Sequence, residues 1–165
     1  MELAEAKLGI ESSVFLDICK LQTKYSQVID TDKLEDWPDL FVDDCLYKIQ
    51  PRENFDRDLE GSVIVCTSKG MLVDRVVAHR HANIFAEHVY RHVVGMPLIH
   101  NTDDGMISTS TSYVVFRTLN DGESVTYSVG RYEDKLVREN GTLKFKERQV
   151  IFDTNQIATQ MVTPI

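Results

Sequence analysis

The stretch VTYSVGRYEDKLVRENGTLKFKERQVIF, Val125–Phe152, consists of two strand-like segments joined by Asn140-Gly141. An Asn-Gly pair predicts a two-residue hairpin, because a type I′ turn needs positive φ at both central positions. Gly130, in the middle of the first segment, predicts a bend or bulge. Alternation in the second segment predicts two faces. One carries Leu143, Phe145, Glu147, Gln149 and Ile151, and the other Lys144, Lys146, Arg148, Val150 and Phe152.

Upstream of this hairpin, other segments are also rich in β-branched and aromatic residues. Ser108–Leu119 and Val89–Val94 have the composition of strands. Leu46–Ile49 suits a short strand that ends at Pro51, and Val63–Val65 suits either a strand or the lead-in to a helix. The charged residues 52–61 predict an exposed loop.

Helices are predicted mainly in the first third of the chain. Apolar residues there recur at steps of three and four, which places them on one helical face: Val14, Ile18, Leu21, Tyr25 and Val28. Asp32 and Glu35 have the spacing of a capping box for a short second helix around Trp37. A third helix is predicted from about Met71 to His81.

Helices followed by long antiparallel strands indicate the α+β class, with the helices on one face of the sheet. A strongly curved sheet closing over about three helices would form a cone. The length of 165 residues predicts one domain spanning 1–165, with residues 1–12 as a frayed lead-in.

Charge and composition exclude several classes of protein. The formal net charge of −8 disfavours nucleic acid as a partner. No apolar run approaches the roughly 20 residues of a membrane-spanning helix, and the acidic start does not resemble a secretory signal. The three cysteines, Cys19, Cys45 and Cys66, are widely spaced and odd in number. They indicate free thiols in a reducing cytoplasm rather than a disulfide framework.

Metal sites are not favoured by the spacing of the five histidines. His88, Tyr90 and His92 would point the same way on a strand, but no third ligand accompanies the two histidines. His79 and His81 form only an H-x-H pair. The three cysteines lack the paired Cys and His motifs of a Rieske cluster. Histidines that serve as hydrogen-bonded or interface residues are the favoured interpretation.

Two roles remain open for the polar residues of the strand segments. Asp74, His92 and Tyr127 are the residue types of an acid–base pocket, although structural ion pairs are the more common use. The other role is in loop ordering, ion pairing within the chain or contact with a partner, because arginine and tyrosine anchor interfaces. The candidates for that second role are Tyr90, Arg91, His92, Arg131, Tyr132 and Arg148.

Three segments together resemble the small (β) subunits of the aromatic-ring-hydroxylating dioxygenases, the Rieske non-haem iron oxygenases. The first runs from Ile29-Asp30 through WPDLF at residues 37–41 to DCLYKI at residues 44–49. The second is MLVDRV at residues 71–76, followed by YRHVV at residues 90–94. The third is GRYEDKL at residues 130–136 with NGTLKFKER at residues 140–148 and IFD at residues 151–153.

The resemblance implies a cone-shaped fold of the nuclear-transport-factor-2 (NTF2-like, SnoaL-like) kind. It also implies a non-catalytic partner of a larger α subunit, which would hold the Rieske [2Fe–2S] cluster and the mononuclear Fe(II). This chain itself would carry no cofactor. The small subunits of that family trimerise within an α3β3 hexamer, and the nearest ones serve oxygenases of carboxylated aromatics such as terephthalate, anthranilate or salicylate.

Two alternatives remain beside this hypothesis. One is a free-standing isomerase or dehydratase that uses an acid–base pocket in the cone. The other is a module that binds a small ligand. A lone chain that turns over a substrate would favour the first, and a ligand retained through purification would favour the second.

Overall fold

The computed structural model describes residues 12–82, 87–153, 161 and 163–165. The α-helices are α1 (Ser12–Asp30), α2 (Arg52–Asp56) and α3 (Lys69–His81), and two 3₁₀ turns cover Leu34–Asp36 and Pro38–Leu40. The strands are β1 (Phe41–Pro51), β2 (Ile64–Cys66), β3 (His88–Val94), β4 (Leu98–Asp103), β5 (Met106–Leu119), β6 (Ser124–Glu139) and β7 (Thr142–Phe152).

The strands form one curved seven-stranded sheet in the order β2-β1-β7-β6-β5-β3, with β4 also paired to β5. The predicted α+β class is confirmed. The sheet is mixed rather than purely antiparallel, because β1 runs parallel to β7. That pairing joins strands at opposite ends of the sheet-forming region, so no local turn signal predicts it.

Helix α1 lies across the inner face of the sheet and contacts β7 and β3. Its buried side chains include Ile18, Leu21, Tyr25 and Val28, as the periodicity predicts. Ser12 is already helical, so the expected lead-in does not extend to residue 12. Residues 1–11 lie outside the described residues.

The predicted capping box at Asp32 and Glu35 is wrong. Lys33 precedes the first 3₁₀ turn and no side chain caps it. Asp32 adopts a positive φ of 55°, and the carboxylates of Asp32 and Glu35 both bind the Arg80 guanidinium instead. The third helix is confirmed, and it begins where the Ser68 hydroxyl accepts a hydrogen bond of 3.3 Å from the Met71 amide.

The β6–β7 hairpin turns at Asn140 and Gly141, whose φ angles are 50° and 79°, as predicted. The predicted faces of β7 hold only as far as Phe145. The register then shifts by one residue at Lys146, so Arg148 and Val150 face inward together with Leu143 and Phe145. Nothing in the local sequence predicts this bulge. One extra residue in a strand moves every later side chain to the opposite face of the sheet.

The expected irregularity in β6 lies at Tyr127, where the pairing with β5 shifts, rather than at Gly130. Gly130 is required for a different reason. A Cβ at this position would lie 2.0 Å from the carbonyl oxygen of Ile151 on the neighbouring strand. Two further elements were not predicted: helix α2 within the expected loop, and strand β4, which turns into β5 at Asp104 and Gly105, both with positive φ.

Candidate functional site

The interior of the curved sheet contains a fully buried ion pair between Arg148 on β7 and Asp134 on β6. The guanidinium donates from Nε to Asp134 Oδ1 and from Nη2 to Oδ2, both at 2.8 Å. Gln22 on α1 completes the cluster, because its amide nitrogen donates to Asp134 Oδ2 at 2.7 Å and its amide oxygen accepts from Arg148 Nη2. Arg148 therefore meets a carboxylate bidentately within its own chain.

Aromatic rings enclose the charged groups of this cluster. The Arg148 guanidinium carbon lies 4.0 Å from the ring centre of Tyr25, 4.1 Å from that of Tyr132 and 4.0 Å from that of Phe145. Burial alone lowers the pKa of Arg148, but the Asp134 carboxylate outweighs burial and holds that pKa above its ordinary value. The arrangement therefore keeps a permanent positive charge inside the fold.

The remaining interior space is filled by further rings and by the end of the described chain. Tyr132 stacks on Tyr113 with ring centres 4.4 Å apart. The hydroxyls of Tyr25 and Tyr47 donate to the backbone oxygen of Ile165 at 2.8 and 3.0 Å. Burial raises the pKa of the Tyr25 and Tyr47 hydroxyls, so both stay protonated as donors.

His92 on β3 is held by Asp30, the last residue of α1. The Asp30 carboxylate accepts the His92 backbone amide at 2.9 Å, and its other oxygen lies 2.5 Å from His92 Nδ1. An aspartate that orients an imidazole is the arrangement of a general base. The His92 side chain is completely buried, however, and it does not line either of the two cavities described below.

The other residues proposed for an acid–base pocket lie elsewhere. Tyr127 stacks on Tyr90 with ring centres 5.1 Å apart. Asp74 is exposed on the outer side of α3. The exposed Asp74 thus does not join the buried His92, and the Tyr90 ring lies against the rings of both His92 and Tyr127.

Arg91 and Arg131 are the two candidate residues that reach the surface. Arg91 has 69% of its side chain exposed and lies 3.9 Å from the Asp30 carboxylate. Arg131 donates to Glu133 at 2.9 Å and lies over the Phe55 ring at 5.3 Å. Tyr90, His92, Tyr132 and Arg148 are buried within the chain.

A cavity of about 460 Å³ opens between the end of α1, the end of α3 and the start of β3. Its charged lining includes Asp30, Asp32 and Glu87, against one arginine, Arg80, that is already bound to Asp32 and Glu35. Burial lowers the pKa of His79 in the same lining, which favours its neutral form. This predominantly acidic lining disfavours a carboxylated ligand.

A second cavity, of about 330 Å³, lies between α1 and the β6–β7 turn. Its charged lining is predominantly basic, with Lys20, Lys24, Arg138 and Lys144 against Asp17 and Asp39, and part of this charge is paired. Arg138 donates to Asp17 at 2.7 Å, and the Asp39 carboxylate accepts from Lys69 at the same distance.

The described residues do not fit a redox metal centre. Among them, no group of three or more His, Cys, Asp or Glu side chains is arranged to hold a metal ion. Burial raises the pKa of the Cys45 thiol to about 11, so this buried thiol is protonated at neutral pH. Within the same part of the chain, no helix is long and apolar enough to cross a membrane.

Two residues that organise the interior were not proposed from the sequence as site residues. Gln22 and Asp30 lie on α1, and their partners are more than 60 residues away in the chain. The one available signal in the sequence was a polar residue, Gln22, beside the apolar stripe of α1. Its role could be recognised only once the register of β7 placed Arg148 on the inner face.

Comparisons with known proteins agree with this geometry. The SnoaL-like domain family matches residues 12–149. The anthranilate 1,2-dioxygenase small subunit of Burkholderia cepacia is 43% identical over 155 residues, covering 94% of this chain and 96% of that protein. Subunit beta 2 of the terminal oxygenase component of terephthalate 1,2-dioxygenase from Comamonas sp. is 35% identical over 150 residues, covering 91% and 97%.

A solved structure is equally similar. It is a Novosphingobium aromaticivorans protein assigned as the beta subunit of an aromatic-ring-hydroxylating dioxygenase. It superposes with a TM-score of 0.85 at 45% identity, covering 93% of this chain and 97% of that one. The chain therefore belongs to the SnoaL-like domain family and, within it, to the small subunits of the aromatic-ring-hydroxylating dioxygenases.

Proposed function

We propose that this chain is the structural, non-catalytic small subunit of a multicomponent aromatic-ring-hydroxylating oxygenase. Its partner is a large α subunit that carries the Rieske [2Fe–2S] cluster and the mononuclear Fe(II), in an α3β3 hexamer with contacts between the small subunits. The ring substrate is a carboxylated aromatic, of which anthranilate, terephthalate and salicylate are the first to test. The complex acts in the cytoplasm, in keeping with three free cysteines.

One observation carries this proposal: the buried Arg148–Asp134 pair inside the curved sheet is engaged within the chain and lines neither of the two cavities. Arg148, Asp134 and Gln22 bind each other, aromatic rings cover them, and Ile165 lies against Tyr25 and Tyr47. A catalytic pocket instead needs polar groups that converge on an open volume. The acidic lining of the cavity beside β3 also argues against a carboxylated substrate in that cavity.

The six candidate interface or structural residues divide into two groups. The buried ones, Tyr90, His92, Tyr132 and Arg148, stabilise the chain itself. Arg91 and Arg131 are placed to contact a neighbouring subunit, and Arg91 is the better placed because most of its side chain is exposed.

The free-standing isomerase or dehydratase is the less favoured alternative. Its support is the Asp30–His92 pair, whose geometry suits a base. The complete burial of His92 opposes it, because a general base must lie within hydrogen-bond reach of its substrate.

The test is co-expression with a candidate large subunit that contains the C-x-H and C-x-x-H pairs of a Rieske site. The small subunit alone and the large subunit alone are the controls. Iron content, the visible spectrum of the cluster and turnover of the three carboxylated aromatics are measured for each preparation, with electron-transfer components supplied. We expect iron and turnover only in preparations that contain the large subunit.

Stoichiometric iron in the folded small subunit alone would contradict the proposal. So would product formation without the large subunit. An Asp30→Asn variant that assembles normally and supports normal turnover would further argue against catalysis by the Asp30–His92 pair.

A further inference from the structure

The cavity between α1 and the β6–β7 turn differs in charge from the chain as a whole. The chain carries a net charge of −8, yet the charged side chains around this cavity of about 330 Å³ are mostly cations. They are Lys20, Lys24, Arg138 and Lys144, against two aspartates. A concave surface lined mainly by one sign of charge attracts small ions of the opposite sign. This cavity is therefore suited to an anion.

Two of the four cations are held in place by carboxylates of the same chain. Arg138 Nη2 donates to the Asp17 carboxylate at 2.7 Å, and Lys144 Nζ donates to Glu139 at 2.6 Å. Arg138 Nη1 also donates to the backbone oxygen of Gly141 at 3.1 Å. These contacts order the hairpin side of the cavity and neutralise part of its charge.

The other two cations, Lys20 and Lys24 on α1, are the ones that a ligand could reach. Lys24 is exposed, and within the described part of the chain no ion pair engages it. The Lys20 side chain is 77% exposed, and its ammonium nitrogen lies 3.8 Å from the Asp17 carboxylate, which is a weak contact. Residues four apart lie on the same side of a helix, so both ammonium groups can approach one anion.

A carboxylate that is already in the lining shows the effect of these cations. Asp39 accepts a hydrogen bond from Lys69 at 2.7 Å, and this contact lowers the pKa of the Asp39 carboxyl below its ordinary value. The charges of Lys144 and Lys24 lower that pKa further. The same charges would stabilise a carboxylate that a ligand brings into the cavity.

The cavity also has an apolar part. Leu21 on α1, Leu40 in the second 3₁₀ turn and Leu143 on β7 line it, and each is at most 7% exposed. Small-molecule sites combine apolar walls with a few charged groups that fix the orientation of the ligand. The volume lies near the lower end of the range for such sites, which suits a molecule with a single ring.

We propose that this cavity binds a small aromatic carboxylate, with the ring against the three leucines and the carboxylate beside the ammonium groups of Lys20 and Lys24. The choice of an aromatic carboxylate among anions rests on the proposed function, whose ring substrate is of this class. The charge and the apolar lining of the cavity do not depend on that function. The small subunit would then recognise the same class of compound as the complex, without taking part in the reaction.

The test is a titration of the ¹⁵N-labelled full chain with benzoate, followed by NMR. Benzamide is the uncharged analogue of the same shape, and inorganic phosphate is an anion without a ring. We expect benzoate to move the amide signals of Gly141, Thr142 and Leu143, with a dissociation constant of about 1 mM or lower. Benzamide and phosphate should bind at least about fivefold more weakly. Benzoate binding should weaken as the salt concentration rises.

Charge variants identify the cations that hold the carboxylate. Lys24→Glu and Lys20→Glu should each weaken benzoate binding about fivefold or more, whereas Lys24→Arg keeps the charge and should bind like the wild type. Lys33→Glu makes the same change in net charge at an exposed lysine outside the cavity, and it is the matched control. The urea midpoint of each variant establishes that it is folded.

The inference is overturned if benzoate at ten times the expected dissociation constant moves no signal of the cavity. It is also overturned if benzamide or phosphate binds as tightly as benzoate, or if Lys24→Glu and Lys33→Glu have equal effects. A chain that fails these tests yet forms an active oxygenase with the large subunit overturns this site and leaves the proposed function intact. A chain that binds benzoate but joins no large subunit supports this site and overturns the proposed function.

Discussion

The inner and outer faces of the sheet each carry a few residues that are unusual for their position. The inner face buries an arginine, an aspartate and a histidine, while the outer face at β3 exposes Val89 and Val93. Buried polar groups in a cleft usually suggest catalysis, and exposed apolar groups usually suggest binding. Here Arg148 is bound to Asp134 and His92 to Asp30, so these buried groups indicate structure. No described residue of the chain covers the exposed valines of β3, so these valines indicate a contact with another protein.

The largest expected effect comes from breaking the inner cluster with Arg148→Met. This change leaves Asp134 buried without its cation, which should lower the free energy of unfolding by about 3–5 kcal/mol. Urea unfolding at pH 7 measures the difference. Arg138→Met, which breaks the exposed pair with Asp17, is the matched control and should cost at most about 1 kcal/mol.

The double variant Arg148→Met with Asp134→Leu separates the charge from the packing. Because it removes both charges, it should recover a large part of the loss. Equal effects of Arg148→Met and Arg138→Met would contradict the assignment of the inner cluster as a buried structural unit.

A second prediction compares the same substitution on the two faces. Val115 is fully buried beside His92, whereas Val93 is 56% exposed on the outer face. Val115→Thr places a hydroxyl in the interior and should cost about 1–3 kcal/mol in urea unfolding. Val93→Thr should change the unfolding of the single chain by less than about 0.5 kcal/mol. Similar losses at both positions would contradict the distinction between the faces.

A third prediction concerns the hydrogen bonds that hold Ile165 in the interior. Tyr47→Phe removes the hydroxyl that donates to the Ile165 oxygen at 3.0 Å and accepts the Ile165 amide at 3.2 Å, while Tyr25 still reaches that oxygen at 2.8 Å. Because the buried amide loses its acceptor, we expect a loss of about 1–3 kcal/mol in urea unfolding. The double variant Tyr25→Phe with Tyr47→Phe should cost more than either single one, because the buried oxygen then loses both donors. A double variant as stable as the wild type would contradict this account.

The smallest expected effect is pH-dependent and lies at the surface. The Arg80 guanidinium, with a smaller contribution from a backbone amide, lowers the pKa of Glu35 from 4.5 to about 2. A carboxyl with a lowered folded pKa stabilises the chain above its ordinary pKa, and this stabilisation is lost as the pH falls from about 4.5 toward 2. Because Glu35 is largely exposed, solvent reduces the effect to about 0.5 kcal/mol or less.

Unfolding of wild-type and Glu35→Gln chains at pH 7 and at several lower values measures this difference. It should be present at neutral pH and shrink on acidification. Glu60→Gln, an exposed carboxyl with no ion pair among the described residues, is the control. A difference that grows as the pH falls would contradict the assignment.

The elements that could be predicted are those with a local signal. The stripe on α1, the start of α3 and the Asn140-Gly141 turn all follow from residues within a few positions of one another. The pairing of strands that are distant in the chain has no local signal in the sequence. The shift at Lys146 therefore reversed the predicted faces of β7 beyond Phe145, and Arg148 was placed on the wrong side of the strand pattern.

The site was predictable to a similar extent. Ion pairing within the chain was one of the roles left open for the strand arginines, and Arg148 pairs with Asp134. The third member of the cluster, Gln22, comes from a helix 126 residues away from Arg148 in the chain, and no spacing rule links the two. Asp30 and His92 are also distant in the chain. They meet because α1 crosses the sheet next to β3. Tertiary geometry, rather than residue type, decided these contacts.

The contact of Asp30 with His92 has a consequence for association. The last residue of a long helix fixes the backbone of the strand that bears Arg91, so this strand is already ordered before any neighbour arrives. Less conformational entropy then remains to be lost on docking, and a modest surface can suffice for a lasting contact. A partner that binds at β3 would then meet a strand whose backbone the chain itself has already fixed.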